Sequence, residues 1–181
     1  MAPIIDTVTT SLNYYVPPKE GERYFYNIQP NPVTGEREAH FKLKGSVVEI
    51  ENLRGKAESV DLDTAGFRFL HQPAKHTSFK NDEEIKAEYY PESIELIKQA
   101  TGASRVVIFD HTIRRRTVGA TELQAGQPAS LVHVDQTPKA SIARVSRHLP
   151  ASEVPGLLQK RFQIINLWRP ISHPALDWPL A

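Results

Sequence analysis

The stretch "SLVHVDQTP", residues 130–138, places His133 and Asp135 two residues apart among apolar Leu131, Val132 and Val134. On an extended chain alternate side chains share a face, so the imidazole and the carboxylate point the same way and can converge on one ion. With a second imidazole from elsewhere they would form the facial triad of non-haem Fe(II) oxygenases, which leaves adjacent positions open for a co-substrate and dioxygen. A fully wrapped metal could not bind both side by side. His-x-Asp also arises by chance, as a structural pair with no metal. Two features of context favour the metal. The pair ends an apolar run, and Thr137-Pro138 closes that run immediately afterwards.

Such a pair must be carried by a strand, and three apolar runs have strand length. They are "SRVVIFD" at 104–110, "SLVHVD" at 130–135 and "RFQIINLWRPI" at 161–171. "HFKLKGSVVEIENLRG" alternates at Phe41, Leu43, Val47 and Ile50 with a break at Gly45, which suits a strand pair or a bulged strand. Residues 1–30 hold aromatic-rich extended pieces broken by Pro17, Pro18 and Pro30, and "NPVTGERE" reads as a turn. "ESVDLDTAGFRFLHQPAKHTSF" reads as a loop.

Helices are expected near 82–101 and 138–160. Asp82 caps the first, with Glu83 and Glu84 at its positive end. Pro91 restarts it at an N1-like position and Gly102 ends it. Thr137-Pro138 opens a short helix, and Ser152 with Pro155 opens another. Fourteen scattered prolines argue against a helical bundle. The mixture predicts an α+β, β-rich fold with an antiparallel, jelly-roll-like core and a few helices on it.

The remaining bounds exclude several classes. The 181 residues suit a single domain, with 1–50 as an N-terminal extended or β arm and 51–181 as the core part. There is no cysteine, hence no thiolate metal site, disulfide or cysteine nucleophile. A net charge of +1 recruits neither nucleic acid nor membrane. No basic leader or membrane-length apolar run is present, so a cytoplasmic protein is expected. Neither a glycine-rich phosphate loop nor a G-x-S-x-G elbow occurs.

Longer stretches carry a resemblance. "NLRG", "LDTAGFRFL", "YYPESIELIKQATGASRVVIFDHTIRRR", "VHVDQTPKAS", "RFQIINLWRPI" and "DWPLA" together resemble the fungal hydroxylase/desaturase family. That family includes aspergillic-acid-type hydroxylases and a gibberellin desaturase, and is similar to bacterial cephem-methoxylation components. The match runs from about Asn52 to the C-terminus. It implies Fe(II)- and 2-oxoglutarate-dependent hydroxylation or desaturation of a small secondary metabolite on a double-stranded β-helix (jelly-roll, cupin-like) core, complete or incomplete, with flanking helices. It also implies that His133 and Asp135 are catalytic iron ligands.

Members of that family run on past the "PLA" motif, inside which this chain stops. The distal histidine, and the basic residue for the keto acid's far carboxylate, are therefore expected beyond residue 181. His148 lies thirteen residues after Asp135 in a helix-like segment, too close to return across a barrel. His173, thirty-eight residues on in a proline-flanked loop, is conceivable but matches no family ligand. The alternative function is a catalytically inactive family member acting as a binding or assembly protein.

"FDHTIRRR" offers His111 and Arg114, Arg115 and Arg116. A basic run is ordinarily a solvated turn, but one guanidinium could grip a carboxylate as a fork. The resemblance puts His111 and Arg115 near the site, with Arg115 as a cofactor-binding candidate. In "RFQIINLWRPI", Phe162, Ile164, Asn166 and Trp168 share one face. Asn166 there is either a satisfied core amide or a cofactor contact. Arg169 pairs with an acid or with the co-substrate carboxylate. If the barrel is open beside this strand, a homo-oligomer joined through 161–171 or the C-terminal tail is expected.

Overall fold

The computed structural model describes residues 6–27, 29–120, 126–176 and 180. Most of "DWPLA" thus lies outside the described residues. The chain divides into two compact units, each described by itself. The first comprises Met1–Pro73, Arg114–His133 and Leu180–Ala181, and the second Ala74–Ile113 and Val134–Pro179.

The first unit is built on β1 (Thr7–Tyr15) and β4 (Leu43–Glu51), antiparallel from Thr7↔Glu51 to Tyr15↔Leu43. Directly opposed residues share a face. Val8, Thr10, Leu12 and Tyr14 therefore sit with Ile50, Val48, Ser46 and Lys44. Gly45 is where the alternation breaks, and the strand runs through it. A Cβ there would meet the Ser11 hydroxyl at 3.0 Å, so glycine keeps the pair close. Between them, β2 (Phe25–Tyr26) and β3 (Ala39–His40) form a short second ladder. Its loop is the expected turn. Asn31 Oδ1 accepts from the N–H groups of Val33 and Thr34 at 2.8 and 3.3 Å, and Gly35 supplies the positive φ of 71°. A single 3₁₀ turn, Ala57–Ser59, follows β4.

The second unit is helical. Its first helix begins with α1 (Asp82–Glu84), widens into a π-turn over Ile85–Tyr89 and continues as α2 (Tyr90–Thr101). The cap is Asn81, not Asp82: Asn81 Oδ1 accepts from Glu83 N at 2.9 Å and Glu84 N at 3.4 Å. Pro91 stands in the first turn of α2, as expected, and the helix runs into it from the π-turn without a break. A proline ring inside a helix clashes with the carbonyl four residues back and offers it no N–H. Widening by one residue over the preceding turn relieves this, and the Tyr90 N–H bonds the Ile85 carbonyl five residues back. Gly102, at φ 70°, closes α2 with its N–H on the Lys98 carbonyl.

Beyond it come α3 (Pro138–His148), with the Thr137 hydroxyl capping Ala140 N at 3.2 Å, and α4 (Val154–Leu158). Ser152 does not cap α4. Glu153 occupies that position without a side-chain bond.

The expected β-rich core is met only in part. The segments 104–110, 130–135 and 161–171 carry no ladder beyond one bridge at Leu131. An apolar run records a demand for burial. A ladder also needs a partner strand, and the described residues supply one only for β1, β2, β3 and β4.

Among the described residues, full burial is confined to the second unit, at Phe79, Ile85, His76 and Ser93. Phe79 meets Tyr89 edge-on at 5.1 Å and His76 at 5.0 Å. His76 Nδ1 lies 2.9 Å from Glu88 Oε2, while its Nε2 is buried without a hydrogen bond. The Glu88 bond lifts the His76 pKa above its ordinary 6.5 against the opposing effect of burial, with smaller help from the Ser78 carbonyl and the Glu84 charge. A raised folded-state pKa contributes stability that is complete below the unfolded value and is lost as pH rises through the folded one. The thermal midpoint is therefore expected to fall on raising pH from about 6.5 upward. In His76→Gln that slope should flatten. Equal slopes in the two proteins would refute the linkage.

Candidate functional site

The segment bearing His133 is hung on β1. Leu131 bridges Asn13 in parallel, Val132 N donates to the Asn13 carbonyl at 2.8 Å, and Asn13 Nδ2 donates to the Ser130 carbonyl at 3.2 Å. A sequence separation of 117 residues hides this anchor from any local reading. His133 is exposed, with Nδ1 2.9 Å from the Leu131 carbonyl. A carbonyl can only accept, so Nδ1 carries the proton. In the neutral ring Nε2 then holds the lone pair.

Asp135, the second residue of the second unit's later part, is exposed and accepts from Asn166 Nδ2 at 2.5 Å. Asn166 is exposed, not a core amide.

Arg169 pairs with an acid. Its guanidinium lies 3.5 Å from Glu92 Oε1 and 5.4 Å from the centre of the Tyr89 ring. Both members of the pair are largely covered, at 14% and 19% side-chain exposure. Glu92 is fixed in turn by the Lys75 N–H at 2.9 Å on its other oxygen. The π-turn and the first turn of α2 thus present Glu88, Tyr89 and Glu92 to three partners from distant sequence.

The "FDHTIRRR" residues separate. His111 accepts from or donates to the Tyr90 hydroxyl at 2.7 Å through Nδ1, and its Nε2 lies 3.1 Å from Asp82 Oδ1. Burial raises the Tyr90 pKa, with Asp82 and Asp110 adding to it and Lys86 opposing. The bond from Lys86 holds the Asp82 carboxyl low. Arg114 donates to the Gln127 carbonyl at 2.7 Å, and the Arg115 N–H to the Gly126 carbonyl at 2.8 Å. The Arg115 side chain is exposed.

His148 stacks on Phe109 at 4.8 Å, and His173 is exposed. Separately, "LDTAGFRFL" contributes Arg68 and Phe69 to a shallow groove with Ala57, Glu58, Val60 and Asp61. The Asp61 carboxyl is held low by the N–H groups of Thr64 and Asp63.

An imidazole Nε2 and a carboxylate oxygen suit Fe(II). An Nδ1–H held by a backbone carbonyl is the usual outer partner of a metal-binding histidine. The chemistry of these two donors therefore fits the ion. Among the described residues no group of three or more His, Asp or Glu is gathered to hold a metal. Nor is any helix among them long and apolar enough to cross a membrane.

Residues 12–181 match the family model described as an oxidoreductase/YMDC permease-like domain. The chain is 33% identical over 174 residues to the Fe(II)/2-oxoglutarate-dependent dioxygenase nvfI of Aspergillus novofumigatus, covering 92% of this chain and 61% of that protein. It is 32% identical to the hydroxylase/desaturase poxK of Penicillium oxalicum, covering 85% and 49%, and 32% identical to the hydroxylase/desaturase CTB9 of Cercospora beticola, covering 77% and 47%. The chain thus spans about half to three-fifths of the length of these relatives.

Two solved structures of the iron and alpha-ketoglutarate-dependent endoperoxidase NvfI superpose on it. One, in a different conformation, gives a TM-score of 0.70 at 26% identity, covering 87% of this chain and 57% of that one. The other gives 0.62 at 28%, covering 85% and 56%. The chain belongs to the oxidoreductase/YMDC permease-like domain family, and the relatives it resembles include proteins named as fungal Fe(II)/2-oxoglutarate-dependent dioxygenases and hydroxylase/desaturases.

Proposed function

We propose that this protein is an Fe(II)/2-oxoglutarate-dependent oxygenase that hydroxylates or desaturates a small secondary metabolite in the cytoplasm, on a double-stranded β-helix. His133, Asp135 and a second histidine hold the iron in this reading. The observation that carries it is the His133 ring: its Nδ1 proton is engaged by the Leu131 carbonyl, which makes Nε2 the ligating nitrogen, two residues from a carboxylate. The names of the relatives support it independently.

Iron with its keto acid supplies the oxidising power when bound. The chain's own residues position. Asn13 holds the 130–132 backbone, so that the carbonyl orienting His133 is itself fixed. Arg115 and Arg169 are the candidates for the far carboxylate of 2-oxoglutarate, with Asn166 as a polar neighbour. Arg169 would have to exchange Glu92 for the ligand.

The test is succinate release from 2-oxoglutarate by the purified protein. Release that needs added Fe(II) and stops with a chelator is the expected result. The rival, a non-catalytic binding or assembly protein, draws on the partial coverage of the relatives. It predicts no succinate with or without iron.

A further inference from the structure

We propose that Asn166 is the positioning residue of the Asp135 carboxylate, setting the oxygen that meets the metal. The inference rests on the reading of Asp135 as an iron ligand. Asn166 Nδ2 donates to Asp135 Oδ2 at 2.5 Å across 31 residues of sequence. An amide N–H can only donate, so the contact runs from Asn166 to the carboxylate oxygen. An amide suits the task. Its N–H fixes the plane of the carboxylate through one oxygen, and being neutral it neither repels a cation nor neutralises the ligand. An arginine in its place would cancel the charge the metal needs.

The carrier of Asn166 supports the role. The segment 161–170 belongs to no ladder, so a single exposed asparagine on it would ordinarily wander. Three residues on, Arg169 ties the segment to α2 through Glu92 and lies over the Tyr89 ring. Pro170 restricts Arg169 to extended backbone. The path from the buried start of α2 to Asp135 therefore runs through Arg169 and Asn166, wholly within the second unit. A hydrogen bond on an ordinary surface would need no such anchoring.

The probe is Co(II), followed by equilibrium dialysis and by its visible ligand-field absorption, on the whole protein. Asp135→Ala serves as the ligand-loss control. Asn166→Ala and the nearly isosteric Asn166→Leu remove the amide, and circular dichroism checks that each is folded. Loss of an outer partner costs about 10–100-fold in metal affinity. Both Asn166 variants should show that loss, with an altered absorption spectrum. If wild type binds Co(II) better than Asp135→Ala and both Asn166 variants match its affinity and spectrum, Asp135 stands as a ligand and Asn166 is not its positioning residue. If wild type binds no better than Asp135→Ala, the ligand reading falls and the role of Asn166 falls with it.

Discussion

Replacing His133 with alanine should end iron-dependent succinate release, and Asp135→Ala should do the same. Losing an outer partner of a metal ligand costs ~10–100-fold, so losing a ligand itself should leave less than ~1% of wild-type release. The reason is the division of labour around the ring. The Leu131 carbonyl takes the Nδ1 proton, and no other side chain in the 130–132 segment offers a nitrogen lone pair in its place. Both side chains are exposed, and surface substitutions ordinarily change stability by no more than about 0.5 kcal/mol. The melting midpoints of the two variants should therefore match wild type, which separates loss of chemistry from loss of fold. Succinate measured by mass spectrometry at saturating 2-oxoglutarate, with and without added Fe(II), decides it. A His133→Ala protein that still couples iron to succinate release would sink the ligand assignment.

What could be read in the sequence was local. Thr137-Pro138 opens α3 and Gly102 closes α2 because a cap and a left-handed residue act within one turn. Asn31 folds "NPVTGERE" for the same reason. The π-turn had a local signal too, Pro91 inside a helical pattern, but a proline is equally compatible with a new helix start. What the sequence hid was pairing. Nothing near Asn13 says that it will hold residue 130, and nothing near Asn166 says that it will meet Asp135. "RFQIINLWRPI" alternates as a strand would, yet Phe162 and Trp168 remain 39% and 47% exposed and Asn166 faces a carboxylate. Alternation specifies two faces and leaves open what covers either of them. His133 and Asp135 were legible as donors because their chemistry is in the side chain. Their supports come from residues 13 and 166, set by the fold.

Ile85→Ala should be the most destabilising single substitution in the second unit, by about 2–5 kcal/mol. Ile85 is 2% exposed, and Phe79 at 9% is its only apolar companion in full burial among the described residues. Against a typical total of about 5–15 kcal/mol, such a loss consumes a large share of what keeps a domain folded. The position matters as much as the burial. Ile85 begins the π-turn, and its carbonyl accepts the Tyr90 N–H that holds the turn open ahead of Pro91. One turn on, Tyr89 packs edge-on against Phe79 and carries Arg169 over its ring. Loosening the turn therefore releases the support of Arg169, and through it Asn166 and Asp135. Val47→Ala is the contrast: Val47 is 77% exposed on β4, and its truncation should fall within about 0.5 kcal/mol of wild type. Urea unfolding followed by far-ultraviolet circular dichroism compares the two. A midpoint for Ile85→Ala indistinguishable from that of Val47→Ala would mean that the buried start of this helix does not hold the unit together.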